Sequence, residues 1–521
     1  MLSFAWWLSL LIGFLSLSEE ILWVRVIGFG YETLPPAFSF VLACYLVGIA
    51  AGAAFGKHLC ARVANLYAAA ALVLCAAALL DVTTPLLIMS LVSGGPSSIG
   101  PPAVLIAATA ALKSTLFPIV HHLGSTDSGP RVGRSMSRIY CANIIGATLG
   151  PIVTGFLALD YLGTDECFAL IAATCLLIAV ACVLKSGRWQ LIGVNLAAAI
   201  AFSFVAMHTA RPGPGSLAAL VKGGPRLSMS HFYANSHGII HTMRTTAGDL
   251  VFGGNVYDGI AAVNVDFNQN RLDRLYILGL VHPNPKRVLA IGLSTGAWVR
   301  ALEGFTTIES IDVVEINPGY LRLIKSYPRL APLLTDPRVH IHIDDGRRWL
   351  KRNPDAHFDL IVQNTTYHWR ANVGNLVSQE YFREVRRHLN PGGVFAANTT
   401  FSFDVLATAG SVFAHAYRYK NFVYGSDRGL RPDFSRLADI RRPDGKLFAL
   451  QDTVHPGSVT ATLSSARLEP VASFLQRRKA SAGLITDDNL LSEYRDGRRF
   501  GPRFLQALLP PEPAEFQFDD P

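Results

Sequence analysis

A multi-span α-helical membrane domain followed by an α/β domain with a parallel, doubly wound sheet is the architecture this sequence predicts. Three observations carry it. Of the 84 charged residues only 17 fall in the first 207 positions, about 8% there against about 21% in the remainder, where a soluble domain carries about 25%. Apolar runs of the roughly 20 residues that cross a bilayer as a helix recur through that first part. Beyond residue 275 the pattern changes to short apolar strands alternating with helical stretches, the signature of a parallel sheet with crossover helices. A chain that is 50% hydrophobic and 16% charged, with mean hydropathy +0.31, is not a single soluble domain, a disordered chain, a collagen or a small disulfide scaffold.

Residues 1–208 hold seven candidate spans, near 3–28, 35–56, 64–82, 101–122, 138–160, 164–184 and 190–207. The first lacks a basic start and runs past Glu19, Glu20 and Arg25 into further spans, so it reads as a span and not as a cleaved signal peptide. Small residues crowd Gly48-Ile-Ala-Ala-Gly52 and Gly146-Ala-Thr-Leu-Gly150; they let helix backbones approach closely in lipid. Glu19, Glu20 and Arg25 must pair or face a polar interior, as a ligand path or as a structural ion pair. All seven cysteines lie in this part with no CxxC and no Cys/His cluster, which reads as apolar packing, with no disulfide framework and no metal site. Lys57 and Arg62, then Arg131, Arg134 and Arg138, then Lys185 and Arg188 mark one side as cytoplasmic. Seven full crossings would put the following domain on the other side. Arg211, Lys222 and Arg226 weaken that signal, and one span is a candidate for miscounting or re-entry.

A Pro/Gly-rich linker over 209–228 leads to a β-rich segment, 229–275, punctuated by Gly238, Gly253-Gly254 and Asp258-Gly259 as turn signals. In the α/β domain, 276–505, strands are expected at Arg287–Gly292, Ile311–Glu315, Val339–Ile343, Phe358–Gln363 and Gly393–Asn398. The Pro- and acid-rich stretch 506–521 is expected to be disordered. The net charge of +8 divides as +1 and +7 between the two parts, a mild basic surface suited to anionic headgroups. With no Lys/Arg run interleaved with aromatics, the partners expected are the lipid bilayer and a small molecule, not nucleic acid.

Ligands on doubly wound sheets bind at the carboxyl ends of the strands, and the polar signatures sit there. Gly292-Leu-Ser-Thr-Gly296 follows the first strand; its glycines let a ligand approach the backbone at a helix start. Glu315 ends the second strand, placed to accept hydrogen bonds from both hydroxyls of a ribose. Asp344-Asp345-Gly346 follows the third, where an acid can hold an adenine amino group. Together they form an adenosine-binding pattern; helix caps on an unrelated α/β domain would look similar. No Lys-Ser/Thr follows the glycines, which argues against a nucleotide triphosphate loop.

The order of these pieces resembles the spermidine synthase (polyamine aminopropyltransferase) family over roughly 230–430. It shows in Val288-Leu-Ala-Ile-Gly-Leu-Ser-Thr-Gly-Ala-Trp-Val-Arg300, Val314-Glu-Ile-Asn317, Asp336-Pro-Arg-Val339, Asp344-Asp-Gly346, Phe358-Asp-Leu-Ile-Val362 and Leu389-Asn-Pro-Gly-Gly-Val-Phe395. The first part looks like the multi-span module fused to many bacterial members, with Tyr140-Cys-Ala-Asn-Ile-Ile-Gly146 as landmark. The resemblance implies a Rossmann-like, class I methyltransferase-type domain. It implies an S-adenosyl sulfonium co-substrate, S-adenosylmethionine or its decarboxylated form, with Gly292, Thr295, Gly296, Glu315, Asp344, Asp345, Gly346 and Asn364 around it. Glu315 would hold the ribose and Asp345 the adenine, and homodimers are common among soluble members.

The departures redirect the chemistry. In the resembled family an Asp stands at the place of Thr295, and two more follow the fourth strand, where this chain has Asn364 and Tyr367 within Gln363-Asn-Thr-Thr-Tyr-His-Trp-Arg370. An amine nucleophile must lose a proton, which Asn does not accept as a carboxylate does, so putrescine is a doubtful acceptor. His368 and Arg370 stand where basic side chains meet a carboxylate, which points to an intact S-adenosylmethionine donor. Asn364, Tyr367 and His368 are the candidate catalytic residues; His237, Tyr367 and Arg370 are the candidate substrate-binding ones, with His241 a further candidate base. Asn398-Thr-Thr400 faces the same cleft, and Ile485-Thr-Asp-Asp-Asn489 with Glu493-Tyr494 lines the site or caps a helix. Three functions remain open: an aminopropyltransferase-like enzyme, a methyltransferase or a methylthioadenosine-releasing lyase or cyclase on the same fold, and a non-catalytic adenosyl-metabolite sensor or transporter. The expected location is a bacterial inner membrane with the α/β domain in the cytoplasm, where the donor is made.

Overall fold

The computed structural model describes residues 4–92, 100–125, 132–209, 217, 220, 221, 228–365, 367–450, 455–489 and 491–496. Arg131, Arg211, Lys222, Arg226, most of the 209–228 linker and the 506–521 stretch lie outside the described residues. The chain divides into two compact units, one built chiefly of residues 1–222 and the other of 237–499.

The first unit is helical: α1 (Phe4–Gly30), α2 (Pro36–Arg62), α3 (Leu66–Val92), α4 (Gly100–Gly124) and α5 (Val132–Val153), which runs through a π turn, Thr154–Ala158, into the short α6 (Leu159–Tyr161). The helices α7 (Thr164–Ser186) and α8 (Leu191–Thr209) follow. Each of the seven apolar runs thus forms a helix, but among the described residues five, not seven, are long and apolar enough to cross a membrane: Pro36–Arg62, Leu66–Ile88, Gly100–Gly124, Gly133–Tyr161 and Thr164–Ser186. The first helix carries Glu19, Glu20 and Arg25, and Leu191–Ala206 is apolar but shorter. Val104, Phe156 and Leu177 are among the large apolar side chains left exposed, a surface suited to lipid.

Small residues set the helix spacing. A Cβ on Gly48, Gly52 or Gly56 would collide with the carbonyl oxygens of Ala107, Ala111 and Thr115 in turn, so α2 lies backbone to backbone along α4. Gly146 and Gly150 bring α5 equally close to the carbonyls of Leu10 and Phe14 on α1. The obstacle in each case is backbone, which has no rotamer to yield.

In the second unit, β1 (Met229–Asn235), β2 (Gly238–Met243), β3 (Leu250–Gly253) and β4 (Val256–Ile260) form a four-stranded sheet in sequential order. Asp258-Gly259, which the sequence presents as a turn, lies inside β4. After α9 (Asp273–Val281) come β5 (Arg287–Ile291), α10 (Ala297–Leu302), β6 (Ser310–Glu315), α11 (Gly319–Lys325), β7 (Val339–Ile343), α12 (Gly346–Arg352), β8 (Phe358–Gln363), α13 (Gln379–Arg387) and β9 (Leu389–Asn398). These five strands are parallel in the order β9-β8-β5-β6-β7, so the chain reverses direction across the sheet beside β5. Two apolar layers cover the faces: Leu275, Trp298 and Leu323 on one, Trp349, Tyr381 and Phe382 on the other.

The sheet is wider than the sequence pattern indicated. After α14 (Phe403–Val412), β10 (His415–Tyr419) and β11 (Phe422–Ser426) form a hairpin that pairs antiparallel with β9, and β12 (Glu469–Pro470) closes the edge. Alternating aromatics in Tyr417, Tyr419, Phe422 and Tyr424 around Lys420-Asn421 are the strand signal.

Replacing Gly52 by Val is expected to destabilise the helical unit by about 1–3 kcal/mol, read as thermal unfolding of the detergent-solubilised chain. An unchanged unfolding temperature would contradict the close α2–α4 approach.

Candidate active site

The turn after β5 is held open by conformations that few side chains adopt. Gly292 has φ +89°, Gly296 +76° and Ser294 +48°, and a Cβ on Gly292 would sit 3.1 Å from the Asn364 carbonyl oxygen. The Glu315 carboxylate pins this turn. Its Oε2 accepts the Leu293 amide at 2.8 Å and its Oε1 accepts the Asn317 amide at 2.8 Å. The side chain is 5% exposed, and burial pushes its pKa up to about 7 against these amide bonds. A carboxylate offers about four acceptor sites, so capacity for ligand hydroxyls remains.

Asp345 is the N-cap of α12, accepting the Arg348 amide at 2.8 Å. Asp344 accepts the Asp345 amide at 2.8 Å and pairs with Arg348 and with Arg352. The capping alternative therefore describes what these two acids do in the chain itself. Gly346 is a packing glycine: a Cβ there would lie 2.6 Å from Ile291. Thr295 is 3% exposed and accepts the Ala297 amide at 3.2 Å, closing the start of α10.

An acid absent from the sequence-level candidates enters this site from β4. The Asp258 carbonyl accepts the Ser294 hydroxyl at 2.7 Å, and its carboxylate accepts the Tyr320 hydroxyl at 2.5 Å. A Cβ on Gly259 would touch Thr295 at 3.4 Å, so Asp258 comes in directly over the Gly-rich turn. Burial pushes the Asp258 carboxyl up, opposed by the Tyr320 and Ser294 bonds and by the Arg370 charge. Burial in turn lowers the Arg370 pKa against the fields of Tyr320 and Asp258. Arg370 and Asp258 thus act on each other electrostatically.

His368 is tied to the neighbouring loop. It is 3% exposed, and Thr400 Oγ1 sits 2.6 Å from its Nδ1 and accepts its backbone amide at 3.2 Å. It locks the loop after β8 to the loop after β9, where Thr400 and Phe401 both have positive φ, +46° and +69°. Backbone strain of this kind persists only where the surroundings over-determine it. Tyr367 stacks on buried Trp369, ring centroids 5.4 Å apart, and burial pushes its hydroxyl pKa up. His237 is exposed at the β1–β2 turn. His241 is fully buried, stacked on Phe252 at 4.8 Å, as a core aromatic would be.

Asn364 opens a chain of amides: Asn398 donates to it at 3.2 Å, Asn421 donates to Asn398 at 2.8 Å, and Arg274 donates to Asn421 at 3.0 Å. The Arg274 guanidinium lies over Phe422 and Trp298, 4.9 and 5.5 Å from the ring centroids. Burial brings its pKa down to about 10, so it stays charged at neutral pH. Arg271 and Arg274 both act on Tyr257 and Tyr367. The neighbouring Asp273 is occupied by Lys420 at 2.7 Å, Tyr419 at 2.9 Å and Asn268 at 2.6 Å. The late acids are bolts: Glu493 accepts the Asn372 and Gly374 amides, and Asp487 pairs with Arg347 and Ser378.

The Glu315 pKa gives a signed stability prediction. A carboxyl raised from 4.5 to about 7 contributes stability that is fully present below the unfolded value and lost as pH rises through the folded one. This group alone makes the unliganded α/β unit about 3 kcal/mol less stable at pH 8 than at pH 4.5. Glu315→Gln is expected to flatten that dependence in thermal unfolding across this range, and a wild-type slope surviving the substitution would refute the assignment.

The family model for the spermine/spermidine synthase domain matches residues 276–406. Spermidine synthase 1 of Hyoscyamus niger is 34% identical over 116 residues, 22% of this chain and 36% of that one; the chain spans about a third of the length of the plant relatives it matches. The polyamine aminopropyltransferase of Streptococcus uberis is 36% identical over 234 residues, 44% of this chain and 74% of that one. A crystal structure of spermidine synthase from Thermotoga maritima aligns with 44% of this chain and 84% of its own, at 16% identity and a TM-score of 0.35. With that identity spread over three-quarters of the bacterial protein, the chain belongs to the spermidine synthase (polyamine aminopropyltransferase) family.

Proposed function

We infer that this protein is a membrane-bound transferase that uses an S-adenosyl sulfonium donor, with its α/β unit on the cytoplasmic side. The observation that carries this reading is the buried Glu315 carboxylate beside the Gly-rich turn, with acceptor capacity left for the two hydroxyls of a ribose. The names of the bacterial and plant relatives, aminopropyltransferase and spermidine synthase, support transfer from such a donor.

Transfer here is substitution at a carbon of the sulfonium. The acceptor's lone pair forms the new bond, the C–S bond breaks with its electrons going to sulfur, and a neutral thioether leaves. Alignment supplies most of the catalysis. Asn364 and the asparagines behind it orient the acceptor without removing its proton, so an amine acceptor must arrive deprotonated. Arg271 and Arg274 give the acceptor side a positive field that repels a diamine and suits a neutral or anionic acceptor.

Asp258 and Arg370 favour a donor that keeps its carboxylate. Asp258, whose carbonyl accepts the Ser294 hydroxyl of the Gly-rich turn, is the acid that would pair with the donor's ammonium, and Arg370 the base that would answer its carboxylate. An intact donor also allows methyl transfer or internal displacement, the second reading. Purified full-length protein, incubated with both donors and a panel of amines and read by mass spectrometry, separates them. Methylthioadenosine together with an acceptor adduct is the expected outcome, formed faster from intact S-adenosylmethionine; methylthioadenosine with no adduct would mark internal displacement. S-adenosylhomocysteine would mark methyl transfer, and no nucleoside product would mark binding without turnover. Arg370→Met is expected to weaken the intact donor on the order of ten- to a hundredfold and leave the decarboxylated one unchanged. Tighter binding of the decarboxylated donor by the wild type would sink the carboxylate assignment.

A further inference from the structure

The helical unit buries a charge cluster for which the α/β chemistry has no use. Lys113 on α4 lies between two carboxylates, its Nζ 2.7 Å from Glu19 Oε2 on α1 and 2.5 Å from Asp81 Oδ1 on α3. None of the three side chains is more than 2% exposed. Each neighbouring helix contributes one more group. The Tyr45 hydroxyl on α2 lies 2.6 Å from the Ser16 carbonyl and 3.0 Å from Glu19 Oε2, Trp23 on α1 donates to Glu19 Oε1 at 3.1 Å, and the Cys175 thiol on α7 lies 3.9 Å from Asp81 Oδ2. Glu20 is the next titratable group along α1, and Arg25, a turn further, donates to Thr164.

The charge count does not close. Two carboxylates and one ammonium leave a net charge of minus one, among helices whose other faces meet apolar side chains. An unbalanced charge in such surroundings is far more costly than binding a proton. The hydrogen bonds say which group takes it. Glu19 accepts from an ammonium and an indole, and shares the Tyr45 proton with the Ser16 carbonyl, donors that favour its ionised form. Asp81 has the shared ammonium and only a thiol, a weak donor.

We propose that Asp81 is a reversible proton-binding site in the membrane unit, protonated while Glu19 and Lys113 form the ion pair. The local backbone suits an exchangeable site. Pro85 lies four residues on within α3 and has no N–H to give the Asp81 carbonyl, and Thr84 buries a hydroxyl with no hydrogen-bond partner among the described residues. Release of the proton leaves a negative charge between α1, α3 and α4 that a cation or a helix shift must answer, which couples proton occupancy to the packing of the bundle.

Infrared difference spectra of the intact protein in lipid vesicles, titrated through neutral pH, test this through the carbonyl stretch that a carboxylic acid has and a carboxylate lacks. One band that depends on Asp81 is expected in the wild type, beside that of the Glu315 carboxyl in the α/β unit. Asp81→Asn and Glu19→Gln should each abolish that same band, because either leaves one carboxylate balanced against Lys113 and no proton is needed. Neither variant strands a buried charge, so both should fold. Asp81→Glu should keep the band and shift it. A band that survives Asp81→Asn, one that does not move in Asp81→Glu, or no Asp81-dependent band at any pH where the protein is folded would overturn the proposal.

Discussion

The α/β site depends on one buried carboxylate. Glu315 ends β6, and its two oxygens take the amides of Leu293 and Asn317, tying the turn after β5 to the turn after β6. Without that tie, Gly292, Ser294 and Gly296 would have little reason to hold three left-handed conformations within five residues. The carboxylate is out of water, and burial outweighs the amide bonds that stabilise its charge. A ligand that donates two hydroxyl hydrogen bonds supplies what the protein leaves out. The strain and the desolvation lie at the carboxyl ends of the strands, beside the place where strand order reverses, where open α/β sheets bind ligands.

Around this fixed point the charge has been redistributed. The acids lacking at Thr295, Asn364 and Tyr367 are not simply lost. One carboxylate returns from a different element, since β4 carries Asp258 over the Gly-rich turn, held by Ser294 and Tyr320. Around Asn364 no carboxylate returns among the described residues. Asn364, Asn398 and Asn421 relay to Arg274, and Asp273 is already engaged by Lys420 and Tyr419. In the proposed reading the acid beside the Gly-rich turn would face the donor, and the amides and guanidinium groups the acceptor.

Much of this frame is legible in the sequence, for identifiable reasons. Short apolar runs at regular spacing mark the parallel strands, and the polar residues just after them fall at one edge of the sheet, as Glu315 and Asp344 do. Asp258 is not legible, because Asp-Gly in a β-rich segment reads as a turn until the register of β4 against β3 is known. The partner of His368 is not legible either: a histidine near a strand end looks catalytic, and only the fold shows that its Nδ1 lies against Thr400, thirty-two residues on. Asp81 and Lys113 are single charges inside long apolar runs, so averaging hides them. They declare themselves only when α1, α3 and α4 bring them together.

The two units present the same physical problem, a carboxylate withdrawn from water, met in two ways. In the helical unit Lys113 balances one acid of two. In the α/β unit backbone amides hold Glu315 while part of its hydrogen-bonding capacity waits for a ligand. That second claim is the central one, and equilibrium binding of methylthioadenosine to the intact protein tests it most directly, because it asks for the nucleoside alone and needs no acceptor. The account predicts saturable binding with one nucleoside per chain, abolished by Glu315→Ala. No binding, or binding that Glu315→Ala leaves intact, would contradict it.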